Sequence, residues 1–345
     1  MTPPPSPSHA PKPSQPRPPS PTTQVGAPHP GDDTGLPARP ARPLSAALVG
    51  APTDVGAGAR GCSMGPEALR VAGIATALER HGLVVHDRGN LAGPTNPWQP
   101  PTDGHRHLDE VIAWNRVVYD AVLAELRAGH MPVFLGGDHS LAIGSISAVA
   151  RACRDLGRPL RILWLDAHAD FNTSDLTPSG NLHGMPVACL SGHGPDALTG
   201  LAGFRPAIAM GTIQQVGIRS IDAGEKRLVH EQHIAIHDMR RIDEIGMRRV
   251  MVDALSDLEP NEHLHVSFDI DFLDPDIAPG VGTAVRGGPT YREAQLCMEM
   301  IADTGHLGSI DVMELNPAFD VRNRTAELAV DLLESLVGKS VIGRF

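Results

Sequence analysis

The stretch Leu160-Arg161-Ile162-Leu163-Trp164-Leu165-Asp166-Ala167-His168-Ala169-Asp170 decides the fold. Its first six residues are apolar at every position but one. The run is too brief for a helix and reads as a strand buried on both faces. Its last five residues alternate acid, alanine, imidazole, alanine, acid. In an extended chain alternate side chains point the same way, so Asp166, His168 and Asp170 share one side. A buried strand that runs straight into polar residues is what an open α/β sheet looks like where it binds a ligand, beyond the carboxyl ends of its strands.

Outward from that stretch the same texture repeats. Short Val/Ile/Leu-rich runs at about 46–50, 83–87, 131–135, 214–218, 233–237, 263–268 and 309–313 read as seven more strands. Helix-like segments separate them. One starts near Gly65-Pro66, with proline suited to the first turn, and stops by Gly82. A second runs from about Leu108 to Ala128 and ends at Gly129. A third opens at Thr290 with Glu293 three residues on, a capping-box spacing, and the last covers about Asn323 to Val337. This alternation predicts an α/β fold of three layers (αβα) around a central, mostly parallel eight-stranded sheet.

Three other strand ends are as polar as the first. The run 131–135 leads into Gly136-Gly137-Asp138-His139-Ser140, the run 263–268 into Asp269-Ile270-Asp271, and the run 309–313 into Glu314-Leu315-Asn316. Parallel strands bring their carboxyl ends to one edge, so up to four aspartates and two histidines can converge there. So much negative charge in a partly dry cleft is costly without cations. Six side chains exceed what a single ion with an open position can use, and suit two ions with shared carboxylates. Carboxylate and imidazole without thiolate favour Mn2+ over a structural zinc site. A pair of divalent ions also makes a hydroxide nucleophile near neutral pH. Four carboxylates, two such ions and one bridging hydroxide leave a net negative charge, which invites a cationic substrate. Asp138 and Asp274 read instead as turn residues, and His193 as a loop histidine without a role.

Composition bounds the rest. The 345 residues are 41% hydrophobic, enough for a sizeable core. A formal charge of −11 excludes a general nucleic-acid surface. The cysteines Cys62, Cys153, Cys189 and Cys297 lack CxxC spacing and are expected to be reduced and buried. No apolar run approaches the ~18 residues of a membrane span, and a cytoplasmic location is the expectation. Residues 1–44, dominated by Pro, Ser and Thr, read as a disordered tail preceding one catalytic domain over 45–345.

With these residues in hand, the chain resembles the arginase (ureohydrolase) family from Ala46 to about Leu336. The signatures GGDHS (136–140), DAHAD (166–170) and SFDIDFLDP (267–275) carry the likeness. The resemblance implies His139, Asp166, His168, Asp170, Asp269 and Asp271 as ligands of two Mn2+ per subunit, with Asp166 and Asp269 bridging. The segment Asp170-Phe171-Asn172 followed by Ser179-Gly180-Asn181-Leu182-His183-Gly184 looks like the arginase version. It implies Asn172, Ser179 and Asn181 as contacts for a substrate α-carboxylate, and His183 as the active-site histidine. Glu314 matches the glutamate that pairs with a guanidinium, Asp222 the α-amino contact, and Thr283 a pocket wall. Phe272, where a small residue is frequent, and Pro289, in place of a common leucine, depart from the pattern. The implied reaction is hydrolysis of L-arginine to L-ornithine and urea by a metal-bridging hydroxide, with Asp170 relaying a proton and His183 exchanging protons with solvent. Trimers or hexamers are implied as well. The alternatives are an agmatinase or guanidinobutyrase, a zinc-dependent deacetylase on a related fold, and a metal-loaded binding protein without activity.

Overall fold

The computed structural model describes Met1, Thr2, Pro4 and residues 45–342, so the tail expected over 1–44 lies almost wholly outside the described residues. Eight strands form one sheet: β1 (Ser45–Gly50), β2 (Val84–Asn90), β3 (Met131–Leu135), β4 (Leu160–Leu165), β5 (Ile213–Ile218), β6 (Ala235–Asp238), β7 (His263–Asp269) and β8 (Leu307–Met313). Their order is β2-β1-β3-β8-β7-β4-β5-β6. Every neighbouring pair is parallel, where the sequence had predicted only a mostly parallel sheet.

Among the described residues eleven helices cover the two faces: α1 (Gly65–Val71), α2 (Ile74–Arg80), α3 (Leu108–Arg127), α4 (Ala142–Asp155), α5 (Pro186–Leu190), α6 (Asp196–Thr199), α7 (Ala223–Glu231), α8 (Met239–Ile245), α9 (Met247–Ala254), α10 (Tyr291–Thr304) and α11 (Arg324–Leu336). The single helix expected from Gly65 to Gly82 is two, because Gly73 takes a left-handed φ of 85° between them. The capping box at α10 is present as expected, with Thr290 and Glu293 each accepting from the other's backbone amide.

Strand residues alternate between two cores. In β4, Leu163 and Leu165 enter the core that also takes in residues of α1, α10 and α11, while Ile162 and Trp164 enter the core of the opposite face with residues of α4 and α5. β7 obeys the same rule with a polar twist. Leu264, Val266 and Phe268 enter the first core, and His263, His265 and Ser267 face the other way. They meet polar partners locally: His265 Nδ1 lies 2.8 Å from Ser309 Oγ, Ser145 Oγ on α4 donates to Asp311 Oδ1 at 2.6 Å, and His265 Nε2 faces Asp311 Oδ2 at 3.3 Å.

The topology positions the site. β3, β8, β7 and β4 are the four central strands. From β4 the chain works outward to β5 and β6, then returns to lay down β7 and β8, so a reversal falls between β4 and β7. In α/β sheets, ligands bind at such a reversal, outside the carboxyl ends. All four polar strand ends open there.

Candidate metal centre and active site

His139 begins the turn after β3. Asp138 caps that turn by accepting from Ser140 N, and its other oxygen accepts from Gly56 N, which bears out its reading as a brace. Gly137 makes the turn possible, since an added Cβ would lie 1.7 Å from Thr53 O. The His139 ring is stacked on Trp164, with centroids 4.2 Å apart, and its Nε2 meets Ser267 Oγ at 2.9 Å. With Nε2 engaged, Nδ1 is turned into the acidic cluster. It lies 2.8 Å from Asp269, 3.2 Å from Asp166 and 3.4 Å from Asp170. Three carboxylates around one imidazole nitrogen outline a cation site.

A second group adjoins the first. His168 Nδ1 lies 3.1 Å from Asp271 Oδ2 and 3.5 Å from Asp166 Oδ1. Two sets of side chains are therefore close enough to hold a metal ion each: His139, Asp166 and Asp269, and Asp166, His168 and Asp271. Asp166 belongs to both. Asp269 stands in the first set, and its other oxygen accepts from Asp271 N. Trp164 Nε1 donates to Asp166 at 2.9 Å, and Thr283 Oγ donates to Asp271 at 3.0 Å. Such outer contacts fix the orientation of metal-binding carboxylates.

The electrostatics demand cations. Burial and the charge of Asp166 push the Asp170 carboxyl well above its ordinary range, and burial with Asp271 does the same to Asp269. Burial alone would lower the His139 imidazole, yet the surrounding carboxylates, Asp166 foremost, hold it up at about 9. Protons are thus retained where positive charge is missing. Asp170 Oδ2 is buried without a hydrogen-bond partner, and orphan buried oxygens need an explanation. Two divalent cations supply one, so the residues present fit a binuclear metal site.

Glu314, immediately after β8, is buried. Its Oε1 accepts from His139 N and lies 2.9 Å from His183 Nδ1; its Oε2 accepts from Cys62 Sγ at 3.2 Å. Burial would raise its pKa, but His183, the His139 amide and the Cys62 thiol hold it below the usual value. Glu314 and Asp170 have left-handed φ angles of 61° and 51°. Such conformations are uncommon outside glycine and gather at functional sites.

These groups open on a cavity of about 140 Å3. His139, His168, Asp170, Asp269, His183, Glu314, Asn172, Ser179, Asn181, Asp222 and Thr283 all line it. Asp166 and Asp271, both buried, adjoin these groups without lining the cavity. The sequence-predicted residues thus come together without exception. Asn172 Nδ2 donates to Asp222 at 3.0 Å, which ties together the two contacts expected for the α-carboxylate and the α-amino group of one amino acid. Asp274 accepts from the Gly287 and Gly288 amides, a turn residue as expected. Phe272 packs over Gly217, where an added Cβ would lie 2.4 Å from its ring.

Several contributors escaped the sequence reading. Cys62 was read only as a buried thiol. Glu225 lines the cavity and accepts from Phe171 N at 2.8 Å. The Arg219 guanidinium donates to the carbonyls of Asp271, Phe272 and Val285, fixing the loop that carries Asp271. Trp164 and Ser267 each precede a cluster aspartate by two residues, so strand periodicity could have found them.

An all-parallel α/β sheet, with two imidazole–carboxylate groups sharing one aspartate at its central strand ends, defines a metal-site protein of the αβα class. The chain belongs to the arginase family, whose model matches residues 44–338. It is 44% identical to the arginase of Brucella melitensis over 303 residues, covering 86% of this chain and 97% of that protein. The native arginase structure from Bacillus caldovelox superposes with a TM-score of 0.82 at 40% identity, covering 87% of this chain and all of that one. The Entamoeba histolytica arginase in complex with L-ornithine gives a TM-score of 0.78 at 30% identity, covering 87% and 100%. The chain is accordingly a hydrolase acting on an amidino C–N bond. Among the described residues no helix is long and apolar enough to cross a membrane, and all four cysteines are free and buried.

Proposed function

We propose that this chain hydrolyses L-arginine to L-ornithine and urea, with two Mn2+ held by His139, Asp166, His168, Asp170, Asp269 and Asp271. The polarity of the cavity carries the reading. Its wall combines acidic groups, Glu314, Asp170, Asp269 and Asp222 among them, with the neutral donors Asn172, Ser179 and Asn181. A ligand cationic at one end and carrying a carboxylate at the other suits both. The donor set, oxygen and imidazole without thiolate, supports manganese.

When bound, the two ions supply Lewis acidity that turns a water into a nucleophile near neutral pH. The remaining work falls to the chain. Glu314, ionised and buried, holds the planar guanidinium through paired charge-assisted hydrogen bonds. Asp170 accepts the proton of the attacking water and returns it to the departing amine. His183, on the cavity wall and raised by Glu314 despite its burial, exchanges protons with solvent. Amide and hydroxyl donors of Asn172, Ser179 and Asn181 take the α-carboxylate, Asp222 takes the α-ammonium, and Thr283 closes the wall while bracing Asp271. Residues 45–345 act as one catalytic domain, assembled as a homo-oligomer (trimer or hexamer) in the cytoplasm.

The test is urea release measured side by side from L-arginine, agmatine and 4-guanidinobutyrate, with manganese added and then chelated. The expected order puts arginine first. Preference for agmatine or guanidinobutyrate makes the chain a different ureohydrolase, and full metal occupancy with no turnover makes it a binding protein.

A further inference from the structure

We propose that Arg106 is a positioning residue that makes the cavity select ligands carrying an α-carboxylate, by fixing which way the Asn181 amide faces. The inference rests on the arginine reading above and extends it to a residue outside the cavity wall.

An asparagine amide has one accepting and one donating end, and a half-turn exchanges them. Arginine can only donate. Arg106 Nε lies 2.7 Å from Asn181 Oδ1, so the carbonyl end is held away from the ligand and Nδ2 is left to the cavity. Among the described residues Nδ2 meets no acceptor, although Asn181 lines the cavity. Gly58 leaves room for it: an added Cβ there would come 2.6 Å from Nδ2. A free donor whose direction is locked calls for an anionic acceptor. Released from Arg106, the amide could turn its carbonyl toward a carboxylate and repel it.

Arg106 is itself held rigidly. Its backbone N donates to Gly180 O at 2.7 Å and its Nη1 to Gln99 O at 2.9 Å. The segment 101–106 lies flush on the loop 174–181 through two left-handed glycines. An added Cβ on Gly104 would lie 2.5 Å from Ser174 O, and one on Gly180 would lie 2.8 Å from Pro101 Cβ. His107, next in sequence, ties the same segment to Val55 O through Nδ1 at 2.8 Å. Asn181 is thereby held between Arg106 on one side and Gly58, which lines the cavity, on the other. None of the hydrogen-bond partners of Arg106 is a carboxylate.

The metal-loaded protein is titrated calorimetrically with L-ornithine and with 1,4-diaminobutane, which differ only by the carboxylate. The wild type, Arg106→Ala, Asn181→Ala and the double variant are compared. We expect Arg106→Ala to weaken ornithine by about tenfold or more and diaminobutane by less than about twofold, the scale of one hydrogen bond to a charged group. In the Asn181→Ala background the same replacement should change little, because the two residues act as one unit. Unchanged ornithine affinity, equal loss of both ligands, or independent additive effects overturns the proposal. A wild type that binds both ligands equally overturns the arginine reading beneath it, and the proposal with it.

Discussion

Glu314 shows how one residue draws its properties from distant parts of the chain. Its oxygens are satisfied by His139 N, His183 and Cys62, the last lying 252 positions away in sequence. Replacement of Glu314 by glutamine keeps the shape and removes the charge proposed to hold the guanidinium. We expect kcat/KM for L-arginine to fall by about a hundredfold or more, the range of a lost charge-assisted pair. Metal content, read by mass spectrometry, should stay unchanged, and loss of metal instead would assign Glu314 to the cluster. At this scale the sequence was most legible where chemistry is local. The alternation in Asp166-Ala167-His168-Ala169-Asp170 and in Asp269-Ile270-Asp271 puts like side chains on one side, and a strand obeys that rule in any context. Cys62, Glu225 and Arg219 were illegible, since each acts through a partner that only tertiary folding brings near.

Among the elements, the strands were readable and several helices were not. All eight strands fall within a few residues of their expected places; the inner ones are near-continuous apolar runs buried on both faces, while the edge strands β2 and β6 are only partly buried. α4 passed unseen: nearly all of its residues are buried, and many of them are glycine, alanine or serine, which carry little of the large apolar surface a helix reading looks for. It lies on the polar side of β7 and β8, which explains Ser145, whose hydroxyl donates to Asp311. The turn from β3 toward α4 is the tightest joint near the metal cluster. Gly137→Ala drives a Cβ into Thr53 O, and we expect a loss of about 3 kcal/mol, the cost of overpacking a close-packed site. Manganese affinity should fall alongside, because His139 follows two residues later. Thr290→Ala, far from the cavity in sequence and role, should cost about 1 kcal/mol as a lost helix cap and leave turnover intact. Urea denaturation with and without manganese separates the two: equal losses in both states for Gly137→Ala would detach the turn from metal binding.

For the whole molecule, the order of the sheet was beyond the sequence. Alternation implies parallel strands, but which crossover skips a neighbour depends on helix packing that single stretches do not encode. What the completed order creates is a buried concentration of charge, with a consequence for stability. In the metal-free protein Asp170, Asp269, His139 and His168 all bind protons more tightly than in an unfolded chain. Their contribution is present at low pH and is lost as pH rises through their folded values. Asp166 and Glu314 are shifted down, so they stabilise above their unfolded values and add nothing further past about pH 5. Stability of the metal-free protein should therefore decline between about pH 5 and pH 9. Bound divalent ions replace those protons, so the loaded protein should show a much flatter Tm across that range by calorimetry, and metal affinity should rise with pH. Parallel Tm curves with and without metal would contradict the charge balance drawn here.

The central claim is that six imidazole and carboxylate groups on central strand ends hold two ions that this enzyme needs to cut a guanidinium. One titration addresses it directly: manganese bound per chain and urea released from L-arginine, followed in the same sample as metal is restored after chelation. The account predicts no turnover in the stripped protein and full activity when about two equivalents are bound. Full activity at one equivalent, or persisting after complete chelation, would contradict it.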